Sequence, residues 1–132
     1  MLPNIELATQ MAHDHCAAWT ERRPDDVAAR YSETTSFAMN WAEPMTSRAE
    51  ISAMAAGFLN DFPDLVLTCD KVLVAPQHMI YAWTLTGHHK ETGNYVEFSG
   101  WEEWDLDEDL SVVKSLGWYD GEDYERQVAG TA

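Results

Sequence analysis

The side chains best suited to chemistry fall in two histidine pairs and one acidic, aromatic stretch: "HDH" at His13 to His15, "GHH" at Gly87 to His89, and Glu102 within "NYVEFSGWEEWDL". A metal ion needs ligands that converge. Residues i and i+2 diverge on a helix, and neighbours in a strand point to opposite faces, so neither pair can grip one ion from regular geometry. No metal and no other cofactor is expected. Glu102 is different, because strand alternation puts it on one face with Val96, Phe98, Gly100, Trp104 and Leu106. It is the single charge on that face. A turn centred near Glu91 and Thr92 sets Tyr81 opposite it, and burial raises a carboxyl pKa toward values that suit a proton donor or a base near neutral pH.

His15 shares an apolar helical stripe with Ala8, Met11, Ala12, Ala18 and Trp19, so it points inward. There it is able to polarise a carbonyl or move a proton, or simply to serve as a core histidine satisfied by Asp14 or a backbone carbonyl. Glu102 has an alternative as well. A register shift of one residue would turn it outward, paired with Lys114. His89 cannot form a dyad with Glu102, since several residue pairs at ~3.3 Å each separate them along the hairpin.

These residues need a frame, and the order of elements supplies one: helices first, strands after. A first helix is expected from the N-cap Asn4 to Glu21, with Arg22 and Arg23 suiting its C-terminal dipole and Pro24 stopping it. A short helix at "DDVAARY" and a first strand near "TTSFAMNW" follow. The capping box "SRAE" at Ser47 to Glu50 opens a third helix whose stripe runs through Ile51, Met54, Ala55, Phe58, Leu59 and Phe62. The runs "LVLTCDKVLVA", "HMIYAWTLTGHH", "NYVEFSGWEEWDL" and "LSVVKSLGWYD" then form a four-stranded meander. This is an α+β plan in which a curved antiparallel sheet wraps three N-terminal helices.

At 132 residues a single domain spanning 1–132 is expected, with room for one core and a pocket. No apolar run approaches a membrane span and the N-terminus lacks the regions of a signal peptide, so a soluble cytoplasmic protein is expected. Cys16 and Cys69 lack CxxC spacing and read as small buried residues. A net charge of -15, from 23 acids against 8 bases, would repel a phosphate backbone, which argues against nucleic acid as a partner. Trp19, Trp41, Phe58, Tyr81, Trp83, Trp104 and Tyr119 are the expected lining of a ligand cavity, whereas Trp101 and Trp118 fall on the outer face of the sheet and suggest a subunit contact.

Together with the order of elements, "RYSETTSFAMN", "SRAEISAM", "DFPDLVL", "AWTLTGHH" and "TGNYVEFSGWEEWDL" through "VVKSLGWYD" resemble the SnoaL-like polyketide cyclase branch of the nuclear transport factor 2-like superfamily. The resemblance covers nearly the whole chain. It implies a cone-shaped α+β barrel, a deep apolar cavity and a homodimer through the convex sheet face. Against the superfamily's ketosteroid isomerases, His15 falls at the tyrosine that donates to the substrate oxyanion, and Glu102 at the aspartic acid kept neutral beside it. Their catalytic base would fall at Met39 or Asn40, neither of which abstracts a proton. The Asp-Arg-Asp set of the limonene epoxide hydrolases has no counterpart, there being no arginine in an expected sheet strand after Arg48. The cyclases' acid and base point to His89 and Asp120 as further candidates. The expectation is an acid–base enzyme, a cyclase, isomerase or dehydratase, acting on a small apolar carbonyl compound. The alternatives are a non-catalytic dimeric module that binds a small apolar ligand, and a structural dimer with a filled core.

Overall fold

In the computed structural model, which describes residues 2–131, Asn4 caps the first helix by accepting from the Leu7 amide. That helix, α1 (Ile5–Thr20), buries the expected stripe, including His15 and Trp19. Proline at its first turn starts α2 (Pro24–Ala29). Ser47 accepts from the Glu50 amide and opens α3 (Arg48–Asp61), whose Ile51, Ala55 and Leu59 are buried. The strands are β1 (Phe37–Met39), β2 (Val66–Ala75), β3 (His78–His88), β4 (Tyr95–Leu106) and β5 (Val112–Tyr119).

They form one curved, unclosed sheet in the order β1-β5-β4-β3-β2. Strands β2 to β5 make the expected antiparallel meander, while β1 joins its edge parallel to β5. The register of β3 on β4 sets Tyr81 opposite Glu102, and Lys114 pairs with Asp105 rather than with the glutamate. Across the concave face the side chains therefore fall in rows. One row reads Met79, Trp104, Ser115, Phe37; the next reads Tyr81, Glu102, Gly117, Met39; the third reads Trp83, Gly100, Tyr119. The first row is core, its members all 2 % exposed or less, with Phe37 at its end also bordering the cavity described below.

Three details differ from the sequence expectations. Arg22 does not serve α1: its guanidinium donates to the carbonyls of Phe62 and Pro63, each at 3.1 Å, and of Leu59, so it satisfies the C-terminus of α3. Strand β1 is short because Asn40 and Trp41 take left-handed conformations, φ 54° and 60°, which turn the chain away from the sheet. A fourth helix, α4 (Gly121–Ala129), follows β5; Asp120 caps its start by accepting from the Asp123 amide, and Gly130 closes it at φ 77°. Gln127 ties α4 to β4 through both the amide and the carbonyl of Glu97, and Tyr124 packs on Phe98 with ring centroids 4.9 Å apart.

Among the described residues no helix is long and apolar enough to cross a membrane. Both cysteines are free thiols, Cys16 buried and Cys69 half-buried.

Candidate functional site

Where the second and third rows of the concave face meet α1 and α3, packing fails to close and a cavity of about 360 Å³ remains. Trp19 of α1 and Met54 and Phe58 of α3 form its helical wall. Met39, Trp83, Leu85, Phe98, Glu102 and Tyr119 form its sheet wall, and Asn40, Ala42 and Met45 form the rim beyond β1. Glu102 is the one charged residue on that lining among the described residues. A side chain at Gly117, between Glu102 and Met39, would fill this corner: a Cβ there would lie 2.6 Å from Met39 Sδ and 3.2 Å from Glu102 Cγ.

Glu102 is 5 % exposed and accepts from four donors. Tyr31 Oη, Trp104 Nε1 and Ser115 Oγ each reach Oε1 at 3.1 Å, and Tyr81 Oη reaches Oε2 at 2.5 Å. A carboxylate offers about four lone-pair positions, two to each oxygen. Three donors crowd Oε1, more than its two positions, whereas Oε2 has one donor and one position still open. Burial pushes the Glu102 pKa up, the bonds from Tyr81, Trp104, Tyr31 and Ser115 pull it down, and burial wins. Burial and the facing carboxylate hold both Tyr31 and Tyr81 well above the usual phenol range, so they remain donors.

His15 meets the same three rings without reaching Glu102. Its ring lies edge-on to Trp104 at 5.1 Å and to Tyr31 and Tyr81 at 5.9 Å each, and neither nitrogen has a hydrogen-bond partner among the described residues. It borders a polar groove with Asp14 and Arg30, between α1 and α2, instead of the cavity. Burial, helped by the Arg30 charge, pushes its pKa down to about 3, so it is a neutral imidazole.

Of the other expected site residues, Trp19, Phe58, Trp83 and Tyr119 line the cavity. Tyr81 and Trp104 lie behind it, fully buried, as donors to Glu102. Trp41 is a correction: it is 83 % exposed, because the left-handed turn swings it off the rim. Neither His89 nor Asp120 lines the cavity. His89 sits in the β3–β4 hairpin, its ring against Phe62 and its Nδ1 facing Thr92, while the Asp120 carboxylate is exposed and occupied as the α4 cap. Sequence reasoning missed Tyr31 and Ser115. Parity along β5 exposes Ser115, two positions before Gly117 on the inward face, but nothing local marks Tyr31, which lies outside α2 and meets the sheet through a bridge to Val112. Among the described residues no three His, Cys, Asp or Glu side chains come together to hold a metal ion.

A helical layer packed in an open, curved sheet, with a cavity between them, defines the nuclear transport factor 2-like class. The SnoaL-like domain profile matches residues 12–114, and the chain belongs to that family. No curated protein sequence matches it significantly. Among solved structures, AclR from Streptomyces galilaeus is 18% identical, with 96% of this chain and 83% of that chain covered and a TM-score of 0.83. A protein from Jannaschia sp. CCS1, provisionally assigned to the SnoaL-like polyketide cyclases, is 14% identical over 100% of both chains, TM-score 0.79. An LEH-like epoxide hydrolase of M. tuberculosis is 10% identical, covering 93% of this chain and 90% of that one, TM-score 0.74. At such identities these likenesses show the fold.

The His15 geometry fixes a sign for stability against pH. Its folded pKa of about 3 lies below the ordinary 6.5, so between those values the unfolded chain binds the extra proton and stability falls as pH falls. Urea unfolding from about pH 7 down to about pH 4 is expected to show a steeper loss in the wild type than in His15→Leu, which has no imidazole to charge. Parallel profiles would mean that the ring titrates normally.

Proposed function

We propose that the cavity carries out acid–base chemistry on a small apolar, cyclic or polyketide-like carbonyl compound, with Glu102 as the proton-transfer group. One observation carries this reading: among the described residues the lone charged side chain on a largely apolar lining is desolvated, held by four donors and left with one acceptor position on Oε2. Its ionised form takes a proton from the carbon next to the carbonyl, the C–H electron pair moves into an enolate, and the protonated form returns the proton elsewhere on the product. Isomerisation, dehydration and ring closure all pass through such an enolate. The chemistry of an enolisable carbonyl fits a raised carboxyl pKa, which brings the acid and base forms nearer to balance at neutral pH.

The competing reading is a module that binds a small apolar ligand without turnover. It is favoured by the absence of a second carboxylate or imidazole on the lining among the described residues, where Tyr119 is the other titratable group. Deuterium uptake separates the two. Incubated in D2O with 1-tetralone, the wild type is expected to exchange the hydrogens next to the carbonyl, followed by NMR, and Glu102→Gln is expected to lose about 10²-fold or more of that rate. Exchange at equal rates in both proteins would remove Glu102 from the chemistry, and tight binding with no exchange in the wild type would favour the binding module.

We also propose that two copies pair through the convex face of the sheet. The support is the cross-strand pair Trp101 and Trp118, directly opposite one another and 38% and 45% exposed. Sedimentation is expected to give a dimer that Trp101→Glu with Trp118→Glu converts to monomer; a wild type that sediments as a monomer contradicts this.

A further inference from the structure

Besides Glu102, Asn40 and Tyr119, the cavity wall carries Trp83, whose one polar atom the packing leaves unused. Trp83 is 5 % exposed and lines the cavity, yet its Nε1–H has no hydrogen-bond partner among the described residues. An indole N–H only donates, and a buried donor left unpaired forfeits the hydrogen bond it makes with water when exposed. Neighbouring aromatic side chains of this protein avoid that cost: Trp104 donates to Glu102, as do Tyr31 and Tyr81.

The ring is also fixed in place. Gly100 stands opposite Trp83 on β4, and a Cβ built there would fall 2.7 Å from Trp83 Cζ2 and 3.0 Å from Cη2, so the benzo edge rests where a side chain would otherwise stand. Phe98 packs edge-on at 5.7 Å, and Tyr119 lies 6.2 Å away.

Trp83 and Glu102 lie one row apart on neighbouring strands, since Trp83 faces Gly100 and Tyr81 faces Glu102. Such diagonal neighbours are about 7–8 Å apart at their Cα atoms, and both side chains border the cavity. Side chains rooted that close border the same stretch of the cavity. We infer that the Trp83 indole N–H receives the carbonyl oxygen of a neutral ketone, turning the adjacent acidic C–H toward Glu102. The carboxylate one row away and the chain's net charge of -15 disfavour a carboxylic acid as that ligand. Hydrogen bonding to the oxygen strengthens as an enolate forms, so Trp83 both selects the ketone and stabilises the charge that develops on it.

This rests on the reading of the cavity as the reaction site, and binding separates it from the role of Glu102. The probes are 1-tetralone and tetralin, which share a skeleton and differ in the carbonyl. The wild type is expected to bind 1-tetralone about 10-fold more tightly than tetralin, the difference one satisfied hydrogen bond makes. Trp83→Phe keeps an aromatic ring and removes the N–H; it is expected to lose that preference, its affinities for 1-tetralone and tetralin becoming alike. In 15N-labelled wild type, the Trp83 indole N–H resonance is expected to move downfield on adding 1-tetralone and not on adding tetralin. This second readout needs no variant. An unmoved resonance, a wild type without preference for the ketone, or a preference retained by Trp83→Phe overturns the inference. Loss of the preference in Trp83→Phe alongside full deuterium exchange in Glu102→Gln upholds Trp83 and rejects the glutamate as base.

Discussion

A carboxylate kept out of water in a largely apolar fold must be compensated, and that constraint organises this molecule. Burying an unpaired ionised carboxyl is costly enough that proteins ordinarily neutralise it or surround it with donors. Here Tyr31, Tyr81, Trp104 and Ser115 supply the donors from four separate places in the chain. Each must be held by its own element, so the loop after α2 and strands β3, β4 and β5 must all be in register for the cluster to close. Loss of Tyr81, the one donor to Oε2, would leave that oxygen without a hydrogen-bond partner among the described residues.

The same register produces the cavity. The row through Met79, Trp104 and Ser115 packs solidly, whereas Gly117 in the next row leaves a corner that Met39 and Glu102 share. Glu102 therefore stands at the boundary, its back to the packed aromatics and its flank to the open space. Parallel pairing of β1 beside β5 brings Met39 to that boundary, and the left-handed turn at Asn40 and Trp41 ends the wall there. Asn40 accepts from the Tyr119 amide and so holds the end of β5 at the rim.

Much of this was legible in the sequence because period-2 and period-3.6 patterns are strong in this chain. The stripe of α1, the capping box of α3, the meander and the pairing of Tyr81 with Glu102 all follow from spacing alone. What escaped depends on contacts far apart in sequence. Tyr31 lies two residues beyond α2 with no local sign of a role at the site, and only the three-dimensional path brings it to Glu102. His15 was correctly turned inward, but its angle around α1 sets it against the rings from the α2 side, away from the cavity. Trp41 was misjudged because two consecutive positive φ angles cannot be read from strand propensity. The helix α4 did carry a local signal, the Asp120 cap and the terminal Gly130, which the aromatic pattern before it overshadowed.

The titration of the Glu102 carboxyl carbon, followed by 13C NMR and assigned with Glu102→Gln, tests the central claim most directly. A midpoint displaced above the ordinary glutamate value of about 4.3 is expected, because burial outweighs the four donors. A midpoint at or below that value contradicts it: the carboxylate would then be an ordinary solvated or ion-paired acid, unsuited to exchange protons with a ligand near neutral pH.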